Sequence, residues 1–137
     1  MEDNQPDVLI LKDITGAAFE VYNEFHEGLL ESAYEAAMKY LLQKKGYQVE
    51  QQVYVPMYFK GVKLEQNYRI DLLVNRQIII ELKALEFVGK IERRQLQHYL
   101  MLTHIPFGML INFGADGVYS ERWFYDVKCH SCHRLSS

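Results

Sequence analysis

Asp71, Glu81 and Lys83 are charged side chains inside two runs that otherwise read as buried: Tyr68-Arg69-Ile70-Asp71-Leu72-Leu73-Val74 and Gln77-Ile78-Ile79-Ile80-Glu81-Leu82-Lys83-Ala84. Burying an unpaired charge is strongly unfavourable, so all three need partners, solvent or a cation. Asn75-Arg76 between the runs makes them adjacent antiparallel strands joined by a tight turn. Side chains alternate along a strand, which puts Glu81 and Lys83 on one face and Arg69, Asp71 and Leu73 together on the other strand. The hairpin then brings Asp71 opposite or diagonal to Glu81, where one cation can touch both carboxylates. Hard oxygen donors of this kind suit Mg²⁺ or Mn²⁺. Lys83, two residues on, can orient a water or stabilise charge on a phosphate. The same spacing also fits a salt bridge from Lys83 to Asp71 or Glu81, with structural value only.

Two helical stretches offer further groups. In Gly28-Leu29-Leu30-Glu31-Ser32-Ala33-Tyr34-Glu35 the spacings of three and four put Glu31, Tyr34 and Glu35 on one helix side. A carboxylate there can complete a metal shell over the hairpin, or simply face solvent. In Ile91-Glu92-Arg93-Arg94-Gln95-Leu96-Gln97-His98-Tyr99, Gln95 and Tyr99 form an i, i+4 pair beside the cations Arg93 and Arg94. Such a helix can meet phosphates with its arginines and the site with Gln95. An amphipathic helix with a polar outer side is the competing reading.

The elements that must position these groups follow from periodicity. Val8, Leu11, Ile14, Ala18, Val21 and Phe25 mark a first helix, and Leu29 to Leu42 resume the same period until Lys44-Lys45-Gly46 stops it. Gly28 either kinks one long helix or separates two. From Tyr47 the period becomes two, and Gln48 to Phe59 reads as one strand with Pro56 at an edge or bulge. Lys60-Gly61 turns it, and Val62 to Leu64 continues the sheet. Ile91 to Thr103 is helical, Phe107 to Phe113 a buried strand, and Val118 to Val127 a last strand. The intervening helix lets the Phe107 strand run parallel to an earlier one in a mixed sheet.

At 137 residues the chain reads as one domain, 1–137, with a flexible polar lead at 1–7 and a flexible tail at 128–137. A net charge of −3 gives no overall basic footprint for nucleic acid, which argues against a DNA-coating protein. It argues less against an enzyme whose acidic site is neutralised by cations. The acidic start excludes a signal peptide and no apolar run reaches membrane-spanning length, so the expected location is cytoplasmic.

Several of these motifs together resemble the GxxExxY protein family, part of the PD-(D/E)xK nuclease superfamily. The resemblance rests on Gly28 to Tyr34, Arg69 to Val74, Glu81 to Ala84 and Leu110-Ile111-Asn112-Phe113-Gly114, and spans roughly Ile10 to Val127. It implies a restriction-endonuclease-like α/β (α+β) fold, a central mixed sheet flanked by helices in αβββαβ order. It also implies that Asp71 is the first metal carboxylate, with Ile70 in the place of the name-giving Pro, Glu81 the second, and Lys83 the lysine. Glu31 resembles the helix glutamate of some branches, and Gln95 with Tyr99 the Gln-x-x-x-Tyr motif of the RecB-like branch. The implied activity is Mg²⁺-dependent hydrolysis of phosphodiester bonds in nucleic acid. The rival reading is a non-catalytic nucleic-acid or protein-binding module on the same fold, favoured by the acidic balance. A third is a homodimer built on a Tyr-rich sheet edge.

Cys129-His130-Ser131-Cys132-His133 matches the spacing of haem attachment and of half a zinc site. Haem attachment needs export and a large pocket, and zinc needs further ligands. An unstructured tail is therefore the expectation, with zinc as the weaker alternative.

Overall fold

The computed structural model describes residues 8–135. The 1–7 lead lies outside the described residues. Helices α1 (Val8–Phe25) and α2 (Glu31–Lys44) come first, followed by β1 (Val49–Tyr54), β2 (Tyr58–Phe59), β3 (Val62–Lys63), β4 (Arg69–Val74) and β5 (Ile78–Lys83). Helix α3 (Lys90–Thr103) precedes β6 (Phe107–Gly114), β7 (Gly117–Asp126) and β8 (Ser131–Leu135). The expected αβββαβ order is present as α2-β1-β4-β5-α3-β6.

Six strands form one sheet in the order β1-β4-β5-β6-β7-β8. Only the β5–β6 pair is parallel, because α3 carries the chain back across the sheet. Helices α1 and α2 cover one face, where Ile14, Met38 and Leu42 meet Leu72, Ile80 and Ile111. Helix α3 covers the other, where Leu96, Tyr99 and Leu100 meet Leu73, Ile79 and Leu110. Burying both faces explains why β5 and β6 read as continuous apolar runs. Gly108 lets α3 approach β6: a Cβ there would lie 2.7 Å from Leu96 Cδ1.

Gly28 separates two helices. His26 and Gly28 take positive φ, and the Tyr34 hydroxyl ties the link by donating to the His26 carbonyl (2.6 Å) and accepting from the Leu29 N–H (3.2 Å). The Tyr34 ring stacks on Phe113 at 4.2 Å between centroids. Gly28 and Tyr34, the outer residues of the helix motif, therefore work in the fold. At Asn75-Arg76 both residues have φ of 51° and Gln77 N–H bonds the Val74 carbonyl, the primed turn that suits a twisted hairpin.

Three expectations fail. The strand from Gln48 does not run to Phe59; it leaves the sheet after the Val55 N–H to Tyr68 carbonyl bond, where Pro56 has no N–H to continue the ladder. Tyr58–Phe59 and Val62–Lys63 instead make a separate two-stranded hairpin. The tail is not loose throughout, because Ser131–Leu135 pairs along β7 as β8. Cys132 packs against the α3-side core, which gives this segment its anchor. Lastly, alternation along β4 slips: Ile70 and Leu73 both join the α3 side while Leu72 and Val74 face α1 and α2. The slip falls at Asp71.

Candidate active site

The sheet forks at Asp71. Strands β4 and β5 pair through Val74–Ile78, Leu73–Ile79 and Leu72–Ile80, and the ladder ends there. One step further, two carboxylates take over the backbone donors. Glu81 Oε2 accepts from the Asp71 N–H at 3.0 Å, and Asp71 Oδ2 accepts from the Leu82 N–H at 2.8 Å. On its far side β4 still pairs with β1, and β5 with β6, so the fork opens between two anchored strands. Opposite Asp71, Gln52 holds φ of 53° inside a strand, a conformation that persists only where its surroundings impose it. Its amide reaches Asp71 Oδ1 at 3.3 Å and Glu35 Oε1 at 2.9 Å.

Of the two α2 carboxylates on the expected helix side, Glu35 rather than Glu31 is the one that reaches Asp71 through Gln52. Its side chain on α2 is buried, held by the Gln51 amide at 2.5 Å as well as by Gln52. The i+4 spacing from Glu31 was the available signal, but nothing local distinguishes a buried carboxylate from a solvated one. Glu31, by contrast, is exposed at the start of α2 and its carboxylate lies 3.4 Å from the Ala84 N–H, just past Lys83. It therefore sits at the end of β5 rather than between the two strand carboxylates.

The electrostatics follow from crowding. Burial pushes the Glu81 carboxyl well above the usual carboxylate range, reinforced by the Asp71 charge and opposed by the Asp71 N–H and Lys83. Burial also raises Asp71, with the Leu82 N–H opposing and the Glu35 charge reinforcing. A site that resists holding its own negative charges is one that gains from a bound cation. Lys83 Nζ donates to Gln95 Oε1 at 2.9 Å, and the Gln95 amide nitrogen donates to the Tyr99 hydroxyl at 3.3 Å. Burial and the Glu81 charge raise the Tyr99 phenol. Thus Asp71, Glu81, Lys83, Gln95 and Tyr99 converge on one end of the sheet.

Arg93 is engaged elsewhere. Its guanidinium grips the buried Glu121, with Nη2 to Oε2 at 2.6 Å and Nε to Oε1 at 3.0 Å. Glu121 also accepts from Tyr119 (2.6 Å) and Trp123 (2.9 Å). Burial alone would raise its carboxyl, but bonds from Arg93, Tyr119 and Trp123 outweigh that and hold it down at about 2. Arg94 is exposed on the same helix. An open cleft of about 740 Å³ adjoins the Lys83 end, lined by Ala84, Phe87, Arg93, Asn112 and Tyr119.

The residues present fit a divalent cation of the Mg²⁺ class. Among the described residues no three His, Cys, Asp or Glu are grouped to hold a metal. Mg²⁺, however, is commonly held by one or two carboxylates together with waters and substrate phosphates. Asp71 and Glu81 supply hard oxygens of that kind, already oriented by backbone donors. In the tail, Cys129 and Cys132 are free thiols, and no zinc site is assembled there among the described residues. No helix among the described residues is long and apolar enough to cross a membrane.

Comparison with known proteins agrees with this architecture. The crystal structure of SSO0001 superposes with a TM-score of 0.53 at 21% identity, covering 67% of this chain and 48% of that one. The matched part is thus about half the length of SSO0001, and the likeness is one of fold. No curated protein matches. The model of the PD-(D/E)XK nuclease superfamily matches residues 9–123, which takes in both helices of the first layer, the forked strands, α3 and most of β7. The forked mixed sheet is that of a restriction-endonuclease-like fold, and the chain belongs to the PD-(D/E)XK nuclease superfamily.

Proposed function

We propose that this chain is a Mg²⁺- or Mn²⁺-dependent nuclease of the GxxExxY branch that hydrolyses phosphodiester bonds. The observation that carries the reading is the fork itself, two carboxylates with raised proton affinity held face to face by backbone donors. Asp71 and Glu81 are the cation ligands in this reading, and Glu35 adds negative charge from α2 together with Glu31 at the end of β5. A bound divalent cation supplies positive charge to the phosphoryl oxygens as the phosphodiester is attacked.

Lys83 orients the attacking water and offsets charge on the phosphate. Its hydrogen-bond partner is the neutral Gln95 amide, and no carboxylate lies within salt-bridge distance of it among the described residues. A lysine tied to a carboxylate would have favoured a binding module; one held by an amide keeps its charge for an incoming anion. Tyr99 fixes Gln95 from behind. In this reading Arg94, exposed on α3, meets the nucleic-acid backbone, whereas Arg93 first has to leave Glu121.

Lys83→Ala is expected to reduce cleavage of mixed DNA and RNA substrates in Mn²⁺ by about a hundredfold or more, the scale of losing one charge-stabilising group. Its stability should fall only slightly, since the side chain makes one bond to a partly exposed amide and is a minor counterweight to the Asp71 and Glu81 charges. Full activity in the variant, measured by gel-resolved products, would remove Lys83 from the mechanism.

A further inference from the structure

The connection between β1 and β4 carries aromatic side chains that the fold does not use. Tyr58, Phe59 and Val62 on the β2–β3 hairpin are 63%, 59% and 62% exposed, and Tyr68 is 40% exposed. Cations are interleaved with them. Lys60 Nζ stands 5.6 Å from the Phe59 ring centre, and the Tyr54 ring centre has Lys63 Nζ at 5.2 Å and the Arg69 guanidinium at 5.6 Å. Between Tyr54 and Arg69 these three cations face the single acid Glu65, in a chain whose net charge is −3. No ion pair engages them among the described residues.

The hairpin rises from the forked end of the sheet. Its base is braced by Val55 N–H to the Tyr68 carbonyl at 2.9 Å and by the Gln66 amide to the Val55 carbonyl at 2.8 Å. Arg69 lies two residues before Asp71. The Tyr68 ring meets Tyr99 edge-on at 6.0 Å, and Tyr99 leads through Gln95 to Lys83. An aromatic and cationic surface therefore runs into the site.

We propose that this hairpin surface binds single-stranded nucleic acid and delivers it to Asp71 and Glu81, an inference that rests on the nuclease reading. Ring faces flanked by cations suit unpaired bases, each of which offers a π-face for stacking while its phosphates meet the Lys and Arg side chains. In a duplex those base faces are already occupied by neighbouring bases. The surface thus favours a single strand over a duplex, and it reads no particular sequence.

The test is fluorescence anisotropy with a labelled oligothymidylate and with a blunt duplex, both in EDTA so that binding is read apart from cleavage. The full chain should bind the single strand about tenfold tighter than the duplex. Tyr58→Ala with Phe59→Ala should weaken single-strand binding by about tenfold or more, as expected for lost stacking. Tyr58→Trp with Phe59→Trp should restore it, and both variants should melt with the parent protein because the replaced rings are exposed. Equal affinity for the two ligands, no binding of the oligothymidylate, or undiminished binding by the double alanine variant overturns the proposal. So does a loss of self-association in that variant by sedimentation with oligonucleotide binding unchanged, which assigns the hairpin to a second copy of the chain. Failure of metal-dependent cleavage with single-strand binding intact would instead count against the nuclease reading.

Discussion

Asp71→Ala should abolish metal-dependent cleavage and at the same time leave the protein as stable as before, or more so. The loss of activity follows from removing one of two cation ligands. The stability follows from the metal-free electrostatics. Asp71 and Glu81 both have carboxyls raised in the folded state, chiefly by burial and then by the neighbouring negative charges. Folding therefore favours their protonated forms. As pH rises from the ordinary carboxylate range through the raised values, the folded chain is the one that must give up protons late, and stability falls. Above that window the crowded charges oppose folding in full. Removing Asp71 takes away one of them, at the expense of the bond to Leu82. A gain of about 1 kcal/mol would raise the melting temperature by roughly 3 °C at neutral pH, and the gain should shrink in acid. A variant that cleaves normally, or one that melts far below the parent, contradicts this.

Glu121→Ala is expected to cause the largest loss of stability. Its buried carboxylate accepts from Arg93, Tyr119 and Trp123, joining α3 to β7. Breaking a buried pair leaves an uncompensated charge, at a cost of about 3–5 kcal/mol when both partners are buried. The Arg93 side chain keeps 31% exposure and can turn to solvent, so about 2–4 kcal/mol is expected, or roughly 6–12 °C in a thermal melt. The pH signature is opposite to that of Asp71. Because the Glu121 carboxyl is depressed from 4.5 to about 2, its contribution is present above the ordinary value and is lost as pH falls through about 2. Glu121→Gln should lose less than Glu121→Ala. A loss below about 1 kcal/mol in the alanine variant would show that the cluster carries little stability.

Local rules made most of the framework legible. The Asn75-Arg76 turn, the apolar runs around it and the period of α3 are signals contained within a few residues, and each appears where the sequence puts it. The parallel β5–β6 pair followed from a helix standing between two strands. What stayed hidden depends on partners distant in sequence. Glu35 and Glu121 look like ordinary polar positions until α2 closes over β1 and α3 over β7. The Arg93 guanidinium looked free because its partner lies 28 residues away. Gln52 takes a left-handed conformation that no strand propensity announces, and the alternation of β4 slips beside it. The β2–β3 hairpin left the sheet because of the missing donor at Pro56, which local reading took for a mere edge signal. Strand β8 needed the open edge of β7 to form at all.

Calorimetric titration of Mn²⁺ shows whether the forked carboxylates Asp71 and Glu81 form a cation site. The parent protein at neutral pH should bind Mn²⁺, while Asp71→Ala should bind far more weakly. No binding by the parent protein at millimolar Mn²⁺, or equal binding by the variant, would mean that the fork holds no cation.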